Sequence, residues 1–372
     1  MNLGIDADTG TAVMMGGLRL LAAGIGLFLV IGTLVSAVKT FVLPRAVNVW
    51  LTRVVFRVVG FIFRLRAKKA QTYEQRDEIM ALFAPLALLI MPAVLLTLIL
   101  VGYMFLFWAL DPQPWAVELR LSGSSLLTLG NAAGDTLGYK VLEFSEAMIG
   151  LILVALLIAY LPTIYTAFSR RETAVTLLET RAGSPPSAQE FLVRSYRTGE
   201  LETLGDVWIA WQTWFAEIRE SHTSLAPLSF FRSPQGEMSW ITAAGTVLDA
   251  ASLYLSSVDL PPDPRAAFCI RSGYLALQGI AAFFTLEFDP DPAPTDPISI
   301  SREEFDQTIA ELAQAGVPIV ADQDQAWRDF AGWRVNYDTV LLKLAAVTMA
   351  PYAQWASDRS PIGLGKTAVT GF

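Results

Sequence analysis

The chain has 372 residues, of which 53% are hydrophobic and 17% charged, with a formal net charge of −8. That balance lies on the membrane side of ordinary soluble composition. A single cysteine, Cys269, excludes an internal disulfide framework and a thiolate zinc cluster, and a single histidine, His222, removes most metal and acid–base constellations.

The charge is unevenly spread. Residues 1–171 carry 14 Lys and Arg against 10 Asp and Glu, whereas residues 172–372 carry 13 against 25. A basic membrane half joined to an acidic soluble half accounts for this, and an acidic domain is a poor partner for nucleic acid. The N-terminal MNLGIDADTGTAV has Asp6 and Asp8 but no basic residue, so it does not read as a cleaved signal peptide.

Between Arg19 and Lys39 lie 19 uncharged residues, and apolar character continues to Val42 before Pro44. This is the length of a first membrane span. Residues 45–69 are apolar but carry Arg45, Arg53, Arg57, Arg64, Arg66, Lys68 and Lys69. Helical spacing puts Arg53, Arg57 and Arg64 in one stripe, with Leu51, Val55, Val59 and Ile62 on the other side. The stripe suits an amphipathic helix lying in the membrane interface. A voltage sensor is the sharper alternative, but these arginines do not recur at every third residue, and only one span is available to surround them.

Residues 81–110 contain no charge, which predicts a second span with tilt or a kink at Pro92. Trp108 and Trp115 bracket its far end as interfacial aromatic anchors. A third span is uncharged from Ala147 to Ser169 and ends at Arg170-Arg171. The basic 45–76 connection and Arg170-Arg171 predict cytoplasmic loops. The N-terminus and the 111–143 loop are then outside, and residues 172–372 inside, in a multi-pass plasma-membrane protein.

The segment before the third span reads S-G-S-S-L-L-T-L-G-N-A-A-G-D from Ser122 to Asp135. Thr128, Leu129 and Gly130, followed by Gly134-Asp135 between two spans, resemble the pore loop of tetrameric potassium-type channels, whose filter reads T-V-G-Y-G-D. The resemblance covers residues 81–171. It implies a short helix aimed at a pore, with backbone carbonyls replacing the water shell of a permeant K+ or Na+ ion. It further implies a homotetramer without a cofactor. The chain departs from the pattern at Asn131, Ala132 and Ala133, which stand between the two glycines. They form either a two-residue insertion or an alignment with Ala132 at the second filter glycine, where a side chain costs roughly 1–3 kcal/mol of strain. Ser125 and Glu146 fall where residues support the filter or its mouth. Gly150 and Pro162 fall on the inner helix, Gly150 permitting close packing and Pro162 either a gating hinge or an ordinary kink.

The acidic half reads as helical and not enzymatic, with no phosphate-cradling loop and no metal-spaced cluster. Leu204, Trp208, Trp211, Phe215 and Ile218 follow helical spacing, as do Ile241, Ala244, Leu248, Ala251 and Leu255. Residues 266–284 read as a buried core helix despite their apolarity, and residues 287–297 as an acidic, proline-fixed loop. A last helical region is predicted over 322–349, with His222 a surface or capping residue. The expected organisation is an all-α membrane protein. It comprises residues 1–80 (first span and interfacial helix), 81–171 (pore module), 172–183 (a cytosolic extension), 184–358 (a helical domain) and 359–372 (a tail). Two functional readings remain open. One is a tetrameric cation channel gated or assembled by its cytosolic domain; the other is a non-conducting scaffold or sensor on the same fold.

Overall fold

The computed structural model describes residues 5–43 and 49–359, with side chains from Thr11 onward. Arg45 and the expected tail beyond Arg359 lie outside the described residues. Those residues form an all-helical protein whose only β-type pairing is an isolated bridge between Val258 and Ile319. The helices are α1 (Ile5–Phe41), α2 (Trp50–Ala67), α3 (Tyr73–Ala81), α4 (Phe83–Leu110), α5 (Trp115–Leu126) and α6 (Leu137–Ala182). They continue with α7 (Ala188–Arg197), α8 (Gly205–Ser224), α9 (Trp240–Ser257), α10 (Pro264–Phe283), α11 (Arg302–Gln314), α12 (Gln323–Arg334) and α13 (Asp338–Thr348). The chain divides into two compact units, one built from the stretch up to Phe56 together with Leu86–Thr163, the other from Arg57–Pro85 together with Ile164–Phe372.

In the first unit α1 and α4 run antiparallel, because Gly26 meets Gly102 while Arg19 meets Ala109. The crossing depends on having no side chain at either glycine. A Cβ at Gly26 would stand 2.7 Å from the Gly102 carbonyl oxygen, and one at Gly102 would stand 2.8 Å from Val30. Small residues at such a crossing let helices approach where lipid provides no hydrophobic drive. Among the described residues four helical stretches are long and apolar enough to cross a membrane: Thr11–Phe41, Tyr73–Leu110, Leu137–Ala182 and Pro264–Phe283. α4 continues through Pro92, and α6 runs 46 residues through Pro162 without a break. Proline removes one hydrogen bond from each, to the carbonyls of Leu88 and Ile158.

The second unit is organised around α9, in which every residue but Leu255 is buried. A helix covered on all sides carries small residues where neighbours press in. Leu341 approaches Gly245, and on α10 both Leu248 and Phe215 approach Gly273. α10 qualifies as a span by length and apolarity, yet Ala266, Cys269, Ile270, Ala276, Leu277 and Ile280 belong to this unit's core. Ser187, Ser239, Asp263, Ser301 and Asp322 cap the helices that follow them, Ser301 with Glu304 in a reciprocal capping box. The helical region expected over 322–349 consists of two helices, α12 and α13, with a turn at residues 335–337. There the Asn336 side chain donates to the carbonyls of Gly332 and Trp333 and ends α12. Arg334, fully buried, bridges the turn by pairing with Asp249 on α9 and with Asp338 at 2.8 Å.

Candidate functional site

α5 doubles back between α4 and α6. Its start stacks Trp115 on Trp108 at 6.2 Å between ring centroids. About two turns later, Ser122 Oγ lies 3.0 Å from the Leu100 carbonyl, ten residues short of the end of α4, or about 15 Å. The same oxygen lies 2.5 Å from Glu146 Oε1 on α6. At the end of α5, the Leu126 carbonyl abuts Gly150, where a Cβ would stand 2.7 Å from that oxygen. Gly150 is thirteen residues into α6, so α5 ends about 20 Å from where α6 begins. The chain returns to Leu137 without helix or strand.

The return begins with a Schellman motif. Leu129 N–H donates to the Ser124 carbonyl at 2.8 Å and Thr128 N–H to the Ser125 carbonyl at 3.1 Å, with Thr128 at φ +54°. Glycine is the usual residue at that position, and a β-branched threonine there costs of order 1–3 kcal/mol. Gly130 follows at φ +67° and has open space around it, so its backbone angle is what requires glycine. Gly134 has a different need: a Cβ there would overlap the Tyr139 ring, which stacks on Phe107 at 5.8 Å. Among the described residues Ala132 is not in the left-handed region, so the strain weighed for Ala132 falls on Thr128 instead.

Two side chains tether the loop. Ser124 Oγ accepts from Ala132 N–H at 3.1 Å, and Glu143 Oε1 accepts from Gly134 N–H at 2.6 Å, with Lys140 Nζ 3.2 Å from the other carboxylate oxygen. Leu127, Thr128, Leu129, Gly130, Asn131, Ala133 and Asp135 are exposed in the single chain, while Ser125, Glu143, Glu146 and Gly150 are buried. Glu118 and Glu146 each keep one buried carboxylate oxygen without a partner among the described residues. Tyr103 and Ser145 add a 2.8 Å hydroxyl pair between α4 and α6. The sequence pattern singles out Glu146, gives Glu143 only the place of an ordinary interfacial acid, and does not reach Ser124 or Tyr139. The acid seven residues before Gly150 was the available signal, but nothing local ties it to Gly134.

The remaining predicted positions stand apart from this loop. Pro162 lies inside α6, where Thr163 Oγ1 donates to the Ala159 carbonyl at 3.2 Å. On α2, Leu51, Val55 and Val59 are buried, but Ile62 is exposed and Phe63 takes the inward position. Arg57 is exposed, and Arg53 and Arg64 are partly covered.

Within the second unit, the stretch of α6 after Thr163 is fastened at Arg171. Its guanidinium donates to the carbonyls of Leu228 and Phe231, both at 2.8 Å, and pairs with Glu172 at 2.7 Å. Its Nη1 also lies 3.3 Å from His222 Nε2. Trp214 Nε1 donates to the Arg171 carbonyl at 3.3 Å. His222 is therefore not at the surface: it is fully buried, with its ring 4.6 Å from that of Trp240. Burial and the neighbouring Arg171 charge hold it neutral, well below the ordinary histidine range.

No protein-family model matches the chain, and comparison with curated proteins and with solved structures returns no match.

Proposed function

We propose that the chain is a membrane protein in which α5 and the 127–136 loop form a re-entrant pore element, four copies surrounding one cation-conducting axis. The observation that carries this reading is the seat of α5, about 15–20 Å back between two apolar helices, ending in a loop whose residues 127–131 are exposed. Non-helical backbone at such depth is tolerated only where protein buries it or it lines a water-filled cavity. Single copies of the loop supply one wall, so a ring of copies completes the lining. The exposed apolar row on α6, Phe144, Met148, Leu151 and Ile158, supplies surface for that assembly. Asn131 stands where the potassium-type pattern has tyrosine, so the pore discriminates weakly between K+ and Na+.

One observation favours the second reading, a non-conducting scaffold or sensor. The Schellman turn spends the Ser124 and Ser125 carbonyls inside the chain, which leaves fewer of them to face an ion. Recording from purified full-length protein in planar bilayers under bi-ionic K+/Na+ conditions decides between them. Unitary cation currents with a reversal potential near zero are expected. Silent bilayers from protein whose reconstitution is verified would leave the scaffold.

A further inference from the structure

The first unit contains an apolar groove of about 800 Å³ between α1, α4 and α6, within the size range of ligand-binding clefts. Gly16, Leu20, Ala23, Leu106, Gly138 and Val141 contribute its walls, and small residues from two helices open it. Its one charged lining residue is Arg19. The Arg19 guanidinium is oriented by α4: Nε donates to the Ala109 carbonyl at 2.8 Å and Nη2 to the Leu110 carbonyl. A cation is favoured at those last carbonyls by the helix dipole. Among the described residues no acceptor holds Nη1, which stays available to a further anion. Asp111, which follows Leu110 in the chain, accepts a hydrogen bond from Gln113 Nε2 at 3.0 Å.

We infer that this groove binds a phospholipid with an anionic headgroup, one acyl chain lying among Leu20, Leu106 and Val141 and the phosphate meeting Arg19. Two things commit the site to that occupant. Arg19 sits at the end of α4 beside the stacked Trp108–Trp115 pair, the level that interfacial aromatics take at the headgroups. An oriented guanidinium above an apolar channel matches an anionic head over hydrocarbon, since a guanidinium forms charge-assisted hydrogen bonds with phosphate. The inference rests on the helices being in a membrane and is independent of whether the protein conducts.

The test is native mass spectrometry of the full chain in mild detergent, titrated with phosphatidylglycerol or phosphatidylcholine of matched acyl chains. Wild type is expected to retain phosphatidylglycerol about tenfold better at equal concentration. Arg19→Gln should abolish that preference and Arg19→Lys keep most of it. Val141→Trp, which fills the groove from a position 58% exposed and so spares the packed core, should weaken retention of both lipids. Equal retention of the two lipids by wild type overturns the proposal, as does a preference that survives both Arg19→Gln and Val141→Trp. The same spectra report subunit number, so failure of the lipid site is read separately from failure of the pore reading.

Discussion

Glu143 reaches across the return loop to accept a hydrogen bond from the Gly134 backbone N–H at 2.6 Å. Nine residues separate the two. The bond pins the loop to the first turns of α6, and Tyr139 packs under Gly134 from the same helix. Replacing Glu143 with Ala removes a charge-assisted bond worth about 1.5–3 kcal/mol. Amide hydrogen exchange across residues 130–136 is expected to rise at least tenfold, with Glu143→Gln intermediate because its amide oxygen still accepts. Unchanged exchange in Glu143→Ala would show that packing alone holds the loop.

Gly150 is where α6 accepts the end of α5. A methyl group there would lie 2.7 Å from the Leu126 carbonyl and 3.0 Å from the Leu126 side chain, and the backbone oxygen cannot rotate aside. Gly150→Ala is expected to cost about 1–3 kcal/mol. Thermal melting of the detergent-solubilised protein should fall by several degrees. Gly32, which has nothing near its Cβ position, is the control and should melt as wild type when changed to Ala.

Stoichiometry bears on the pore reading directly. Mass measurement in mild detergent is expected to find four chains, since one return loop encloses nothing. A stable monomer or dimer that persists in lipid nanodiscs counts against the pore.

His222 imposes a pH dependence on the second unit. Its folded pKa is depressed by burial and by Arg171, so below the ordinary value of 6.5 the unfolded chain takes a proton that the folded one refuses. Stability should therefore be level above about pH 7 and fall as pH drops through 6, by up to ~1.4 kcal/mol per pH unit for this one group. Trp214, Trp240 and their neighbours make tryptophan fluorescence a suitable probe of denaturant unfolding. His222→Gln should flatten that limb of the curve, and an unaltered slope would remove His222 as its source.

The coupling of α6 to the acidic half can be tested by deletion. α6 is helical without interruption from Leu137 to Ala182 and ends at Gly183, φ +79°. A continuous helix of this kind acts as a lever if the domain around Arg171 biases it. Under the pore reading, removing residues 184–372 should leave assembled channels whose open probability is shifted strongly up or down. Arg171→Gln, which loses the bonds to Leu228 and Phe231, should shift it in the same direction. Gating identical to the full-length protein in both variants rules the lever out.

What the sequence by itself determined is what repeats along a helix. Uncharged runs reveal apolar helices long enough to span a bilayer, and the 4-3-4-3 spacing of Leu204, Trp208, Trp211, Phe215 and Ile218 reveals the inward face of α8 and of the residue that precedes it, all five buried. These are short-range signals, carried by neighbours one turn apart. Tertiary structure alone decided the rest. Thr128 takes the left-handed angle because Ser124 and Ser125 offer their carbonyls there, and motif matching sees only a threonine. His222 lies at the end of a polar R-E-S-H run, yet contact with Arg171 and Trp240 buries it. Glu143 and Glu146 are both acids near the start of an apolar helix, with little between them in sequence. The backbone N–H of Gly134 lies against one and the hydroxyl of Ser122 against the other, and only the folded path of the chain between those partners gives each acid its role.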